Sequence, residues 1–75
     1  MVQVVISKLR LGYVFSLNVN GRSFTRELGS DHPEAAANAA IAAWKDYRQV
    51  SGIRLNLPPE VIEAVVGIYG RVPWT

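Results

Sequence analysis

One imidazole, His32, and six carboxylates, Glu27, Asp31, Glu34, Asp46, Glu60 and Glu63, are the side chains here that ionise closest to neutrality, and there is no cysteine. These are the groups from which a hydrolase, a metal centre or a nucleophilic site would be built. His32 directly precedes Pro33 at the start of an alanine-rich stretch, a position suited to helix capping rather than base catalysis. No Ser-His-acid or Cys-His set can be assembled around it, and the sequence contains neither a G-x-x-x-x-G-K-[ST] phosphate loop nor a G-x-G-x-x-G fingerprint. Asp31 and Glu60 fall where helix N-termini favour acids. The residues therefore predict a protein that is not an enzyme and that requires no cofactor or metal.

The charge that could do something else is basic. Lys8, Arg10, Arg22 and Arg26 lie in the first 26 residues with no acid among them; the acids begin at Glu27. Arginine forks suit carboxylates and phosphates alike, so this end of the chain is the first candidate for partner binding. The second is an apolar stretch near the C-terminus, where Ile62, Val66, Tyr69 and Trp74 offer an alternative interface.

Local structure must position these groups. "VQVVIS" (2–7) is rich in β-branched residues and predicts a strand. "YVFSLNV" (13–19) alternates, and Asn20-Gly21 then supplies the pair that accepts the positive φ angles of a two-residue type I′ turn. That turn sets Val19 opposite Arg22, Leu17 opposite Phe24, Phe15 opposite Arg26 and Tyr13 opposite Leu28. One face of the hairpin is then mainly large and apolar, and the other small and polar.

Asp31 or His32, then Pro33, opens a helix expected over about 33–50, with Ser51-Gly52 as its stop. Ala36, Ala40, Ala43, Trp44 and Tyr47 share one stripe of it, and Glu34, Asn38, Ala42, Lys45 and Gln49 lie opposite. Methyl groups on the helix allow its backbone to lie close over the bulk of Tyr13, Phe15, Leu17, Phe24 and Leu28, small against large. "IRLNL" (53–57) predicts a short strand, and Pro58-Pro59 a second helix over about 59–69 whose apolar residues cover more than one face.

These elements make an α+β fold: an antiparallel sheet of three to four strands packed against one alanine-rich helix, plus a short second helix. At 75 residues, 49% hydrophobic and 19% charged, the chain predicts a single compact domain, 1–75. A chain of this size buries only about 60% of its unfolded surface. Without disulfides, close packing or a homodimer must compensate. No stretch reaches the roughly 20 apolar residues needed to span a bilayer. The N-terminus is apolar early and basic late, the reverse of a signal peptide, which predicts a cytoplasmic protein with no membrane partner.

Three resemblances bear on function. The hairpin followed by "GSDHPEAAANAAIAAW" resembles the C-terminal half of double-stranded RNA-binding domains, although the helix start reads "SDHPEAA" where those domains carry consecutive lysines. It is more similar to the partial version of that fold in HicB-type antitoxins, and "IRLNLPPEVIEAV" (53–65) looks like the strand and first helix of a ribbon-helix-helix module. This similarity implies a dimeric nucleic-acid-binding regulator of antitoxin type.

"GYVFSLNVNGRSF" and "GSDHPEAAANAAIAAW" together resemble the small anti-CRISPR proteins of Pseudomonas phages, especially inhibitors of type I-F. The shared pattern is a Gly-Tyr strand, a Gly turn, Gly-Ser-Asp, a proline and an alanine-rich helix ending in tryptophan, over about half the chain. This resemblance implies a phage-encoded, non-enzymatic inhibitor acting in the cytoplasm of the bacterial host. Its partner would be a CRISPR–Cas surveillance complex, blocked sterically, with nucleic-acid contact weak.

Overall fold

Asn20 and Gly21 both take positive φ, 52° and 87°, and close a two-residue turn between β2 (Gly12–Val19) and β3 (Arg22–Glu27). The register is the one the turn dictates: Val19 faces Arg22, Leu17 faces Phe24 and Phe15 faces Arg26. Asn18 stabilises the turn from the opposite face, accepting from the Gly21 N–H at 3.2 Å and donating to Ser23 Oγ at 3.1 Å. The computed structural model describes residues 1–49 and 52–74.

β1 (Val2–Leu9) pairs antiparallel with β2 along its full length, Val2 opposite Val19 and Leu9 opposite Gly12. After β3 the chain enters α1 (Pro33–Tyr47), returns as β4 (Ile53–Asn56) and ends in α2 (Pro59–Tyr69). The strand order is β3-β2-β1-β4. The α+β architecture and the strand count are as expected, but β4 joins β1 in parallel, making the sheet mixed. The helix explains this: α1 runs back across the sheet, so the next strand leaves in the direction of β1 and lands on the far edge.

Core side chains alternate along β1, where Val2, Val4 and Ile6 are buried and face α1. Ala36, Ala40 and Ala43 are buried beneath α1, as the small-against-large packing requires, while Glu34, Asn38, Ala42, Lys45 and Gln49 are exposed. Ala37 and Ile41 are buried too, extending the covered surface around the helix toward Trp44, which meets Tyr69 of α2 edge-on with ring centroids 5.9 Å apart. Both helices start near Tyr13 and run side by side, and Val61 and Val65 of α2 complete the core. The pairing covers one apolar face of α2 and leaves Ile62, Val66 and Ile68 of the other exposed.

One helix boundary differs from expectation. α1 ends at Tyr47 rather than about residue 50; of the stop Ser51-Gly52, Ser51 lies outside the described residues and Gly52 has φ 83°. α2 spans the expected residues and closes with Gly70 in the left-handed region, its N–H donating to Val66 O at 2.8 Å. Phe24 is not under the helix. α1 contacts β1, β2 and β4 but does not reach β3, leaving Phe24 58% exposed.

Candidate partner-binding site

β3 is an edge strand, and all six of its residues are exposed. Its side chains divide between two faces: Arg22, Phe24 and Arg26 share the face that carries the helices, and Ser23, Thr25 and Glu27 the other. Because α1 stops short of β3, the first trio forms an uncovered stripe with an aromatic ring between two guanidiniums. Phe15 and Leu17 of β2, both half-buried, flank it. Arg26 leans over the Phe15 ring, Cζ 5.9 Å from its centroid, which orients the guanidinium without neutralising it. The only side-chain ion pair among the described residues is His32 Nε2 with Asp31 at 3.9 Å, so neither arginine is engaged by a carboxylate.

The four basic residues singled out by the sequence do not form one end of the molecule. Arg22 stands at the β2–β3 turn, in the row of Val19 and Val2, whereas Lys8 pairs with Tyr13 at the opposite end of the sheet. Six residues of strand separate the two rows, roughly 20 Å. Lys8 Nζ lies 5.5 Å from the Tyr13 ring centroid, and Arg10 is exposed in the β1–β2 turn. Proximity in sequence placed these residues together; the antiparallel fold sends the two turns to opposite ends. Arg22 and Arg26 remain as a pair, on one face and two strides apart.

At the Lys8 end, Tyr13 is buried and its hydroxyl donates to Glu60 Oε2 at 2.9 Å. Burial foremost, then the bond to the Glu60 carboxylate, pushes the Tyr13 hydroxyl up to about 12. Nearby Asp31 and Glu34 add to the shift. The contact ties β2 to the start of α2 and holds the phenol neutral, a structural role. His32 is exposed, and among the described residues no three His, Asp or Glu side chains gather in a way that could hold a metal.

Of the apolar C-terminal candidates, Ile62 and Val66 are 39% and 44% exposed on α2. Tyr69 is partly occupied by Trp44, and Trp74 is half-buried against the core rather than displayed. Ile68, at 46%, is exposed and was not singled out by the sequence, nor were Leu9 and Leu11 around the β1–β2 turn. Phe24 is the most consequential residue misplaced by sequence reasoning, which put it in the core. A signal for its exposure existed: its neighbours two positions away on the same face are both arginine, which a strand beneath a helix rarely carries.

Comparison with known proteins finds no matching family model, no matching curated protein and no matching solved structure. No described helix is long and apolar enough to cross a membrane.

Proposed function

We propose that the chain is a non-enzymatic inhibitor that seats its β3 stripe on an acidic surface of a host protein complex and blocks that complex sterically. The resemblance of "GYVFSLNVNGRSF" and "GSDHPEAAANAAIAAW" to small anti-CRISPR proteins makes a CRISPR–Cas surveillance complex the proposed target. The observation that carries the binding mode is the exposed Arg22–Phe24–Arg26 stripe, an aromatic anchor with two arginines that no carboxylate among the described residues engages. Aromatic residues and arginine are the side chains most enriched at binding hot spots. In this assignment Lys8 and Arg10 contribute long-range attraction from the far end of the sheet.

The test is biological and direct. Bacteria with active type I-F immunity against a phage are made to express the chain, and plaquing of that phage is counted. Restored plaquing by wild type and loss of restoration by a folded Arg22→Glu variant support the assignment. Unchanged immunity with the protein well expressed rejects a type I-F target.

A dimeric nucleic-acid-binding regulator is the second reading. It is favoured by the same stripe, since an aromatic ring between cations can stack a base while the arginines hold phosphates. The two separate by salt: a regulator binds a specific duplex tighter than about 10⁻⁸ M with a steep salt dependence. The inhibitor shows only weak, sequence-independent DNA binding at physiological salt.

A further inference from the structure

The outer edge of β3 is unpaired. In the β2–β3 hairpin the two residues flanking the turn, Val19 and Arg22, exchange both backbone hydrogen bonds, as a two-residue I′ turn requires. The same parity recurs every second row, and the far end confirms it: the Leu28 N–H donates to Tyr13 O at 3.0 Å. Arg22, Phe24 and Arg26 therefore direct their backbone groups inward to β2. Ser23 and Thr25 direct theirs outward, and among the described residues no strand lies beyond β3.

Of the devices that normally blunt an edge, this one has only charge. It has no proline, no bulge against β2 and no covering helix. What it has is charge of one sign on one face. A second copy of this chain pairing along β3 would crowd four arginines onto a single face, and like charges across strands destabilise pairing. The edge thus disfavours itself and favours its complement.

We infer that β3 accepts an added strand from the partner: an antiparallel extended segment with acidic residues opposite Arg22 and Arg26, and an apolar one opposite Phe24. Backbone bonds to Ser23 and Thr25 supply adhesion, and the acid-x-apolar-x-acid pattern supplies selectivity. This rests on the reading of the chain as a binder of an acidic protein surface and names the element that surface must present.

The probe is a synthetic peptide with a Glu-Thr-Val-Thr-Glu core, compared with a Lys-Thr-Val-Thr-Lys control, titrated into the full chain and followed by backbone NMR. Strand addition predicts binding about tenfold or more tighter for the acidic peptide, and amide exchange at Ser23 and Thr25 slowed by about tenfold or more. N-methylating the two threonines of the peptide, whose N–H groups would meet β3, abolishes both effects. N-methylating its valine, whose N–H points away, leaves them. Thr25→Pro, which removes an outward donor that an edge strand can spare, gives the same loss in a chain checked for folding by circular dichroism. Acidic-peptide binding that Arg22→Glu weakens but threonine N-methylation does not would overturn strand addition while leaving an acidic partner in place. No preference for the acidic peptide would overturn both. Concentration-dependent protection of Ser23 and Thr25 without any peptide would assign the edge to a second copy and overturn the proposal as well.

Discussion

The Tyr13 hydroxyl donates to the Glu60 carboxylate at 2.9 Å, joining β2 to the first turn of α2 across 47 residues of chain. Tyr13 is buried and Glu60 sits where the N-terminus of α2 favours an acid, so each end of the bond is held in place by its own element. Tyr13→Phe keeps the ring and removes the donor. The domain should lose about 1–2 kcal/mol in a urea melt, because the hydrogen bond to a charged group goes. A change under a few tenths would mean that water replaces the phenol at no cost.

The same pair makes stability depend on alkaline pH. The folded Tyr13 hydroxyl titrates at about 12 against an ordinary 10.0. A raised folded value favours the protonated form in the native state, so the contribution is complete below about pH 10 and is lost as pH rises toward about 12. Melting temperature should fall across that interval more steeply in wild type than in Tyr13→Phe. Parallel curves would place the alkaline transition elsewhere.

Ala40 is fully buried between α1 and the sheet, whereas Ala42 is exposed on the opposite side of the same helix. Ala40→Leu should destabilise by about 1–3 kcal/mol through overpacking. Ala42→Leu should change stability by less than about 0.5 kcal/mol. Equal effects in a denaturant melt would contradict the orientation of α1.

Gly12 holds the loop after β3 against the sheet. Its φ is 151°, and a Cβ placed there would lie 2.8 Å from Ser30 O, the atom that accepts from the Tyr13 N–H. Gly12→Ala should cost about 2 kcal/mol or more, combining backbone strain with displacement of that bond. Near-wild-type stability would show that the Ser30 loop can move aside freely.

Much of the fold could be read from local chemistry. Asn20-Gly21 determined the turn, and with period-two alternation it fixed each pairing of β2 with β3. The alanine stripe identified the buried face of α1, and Pro58-Pro59 the start of α2. What local pattern could not carry was lateral placement. Nothing near "IRLNL" states that its strand joins β1 in parallel, because that follows from where α1 releases the chain. Nothing in the Phe24 alternation tells that α1 stops one strand short. The grouping of Lys8 and Arg10 with Arg22 and Arg26 failed for the same reason: sequence distance does not say at which end of a sheet a turn lies. The stripe itself was half legible: its arginines stood out by charge, while the exposure of Phe24 was signalled only by the arginine on either side of it along the same face.

Phe24 separates packing from binding. At 58% exposed, its truncation to alanine should shift stability by no more than about 0.5 kcal/mol. Affinity for the partner should nonetheless fall by about 1–2 kcal/mol or more, as for an aromatic anchor in an interface. Loss of stability instead would return Phe24 to the core.

The central claim is that Arg22 and Arg26, projecting with Phe24 from one face of β3, hold the partner. The most direct measurement is capture of purified CRISPR–Cas surveillance complexes by immobilised wild type, by Arg22→Glu and by Arg22→Glu/Arg26→Glu. Circular dichroism should show all three folded, because Arg22 and Arg26 are exposed and make no ion pair among the described residues. Wild type should retain the complex, Arg22→Glu should weaken binding by roughly 2 kcal/mol or more, and the double variant should abolish capture. Full retention by the folded double variant would contradict the claim and turn attention to Ile62 and Val66 on α2.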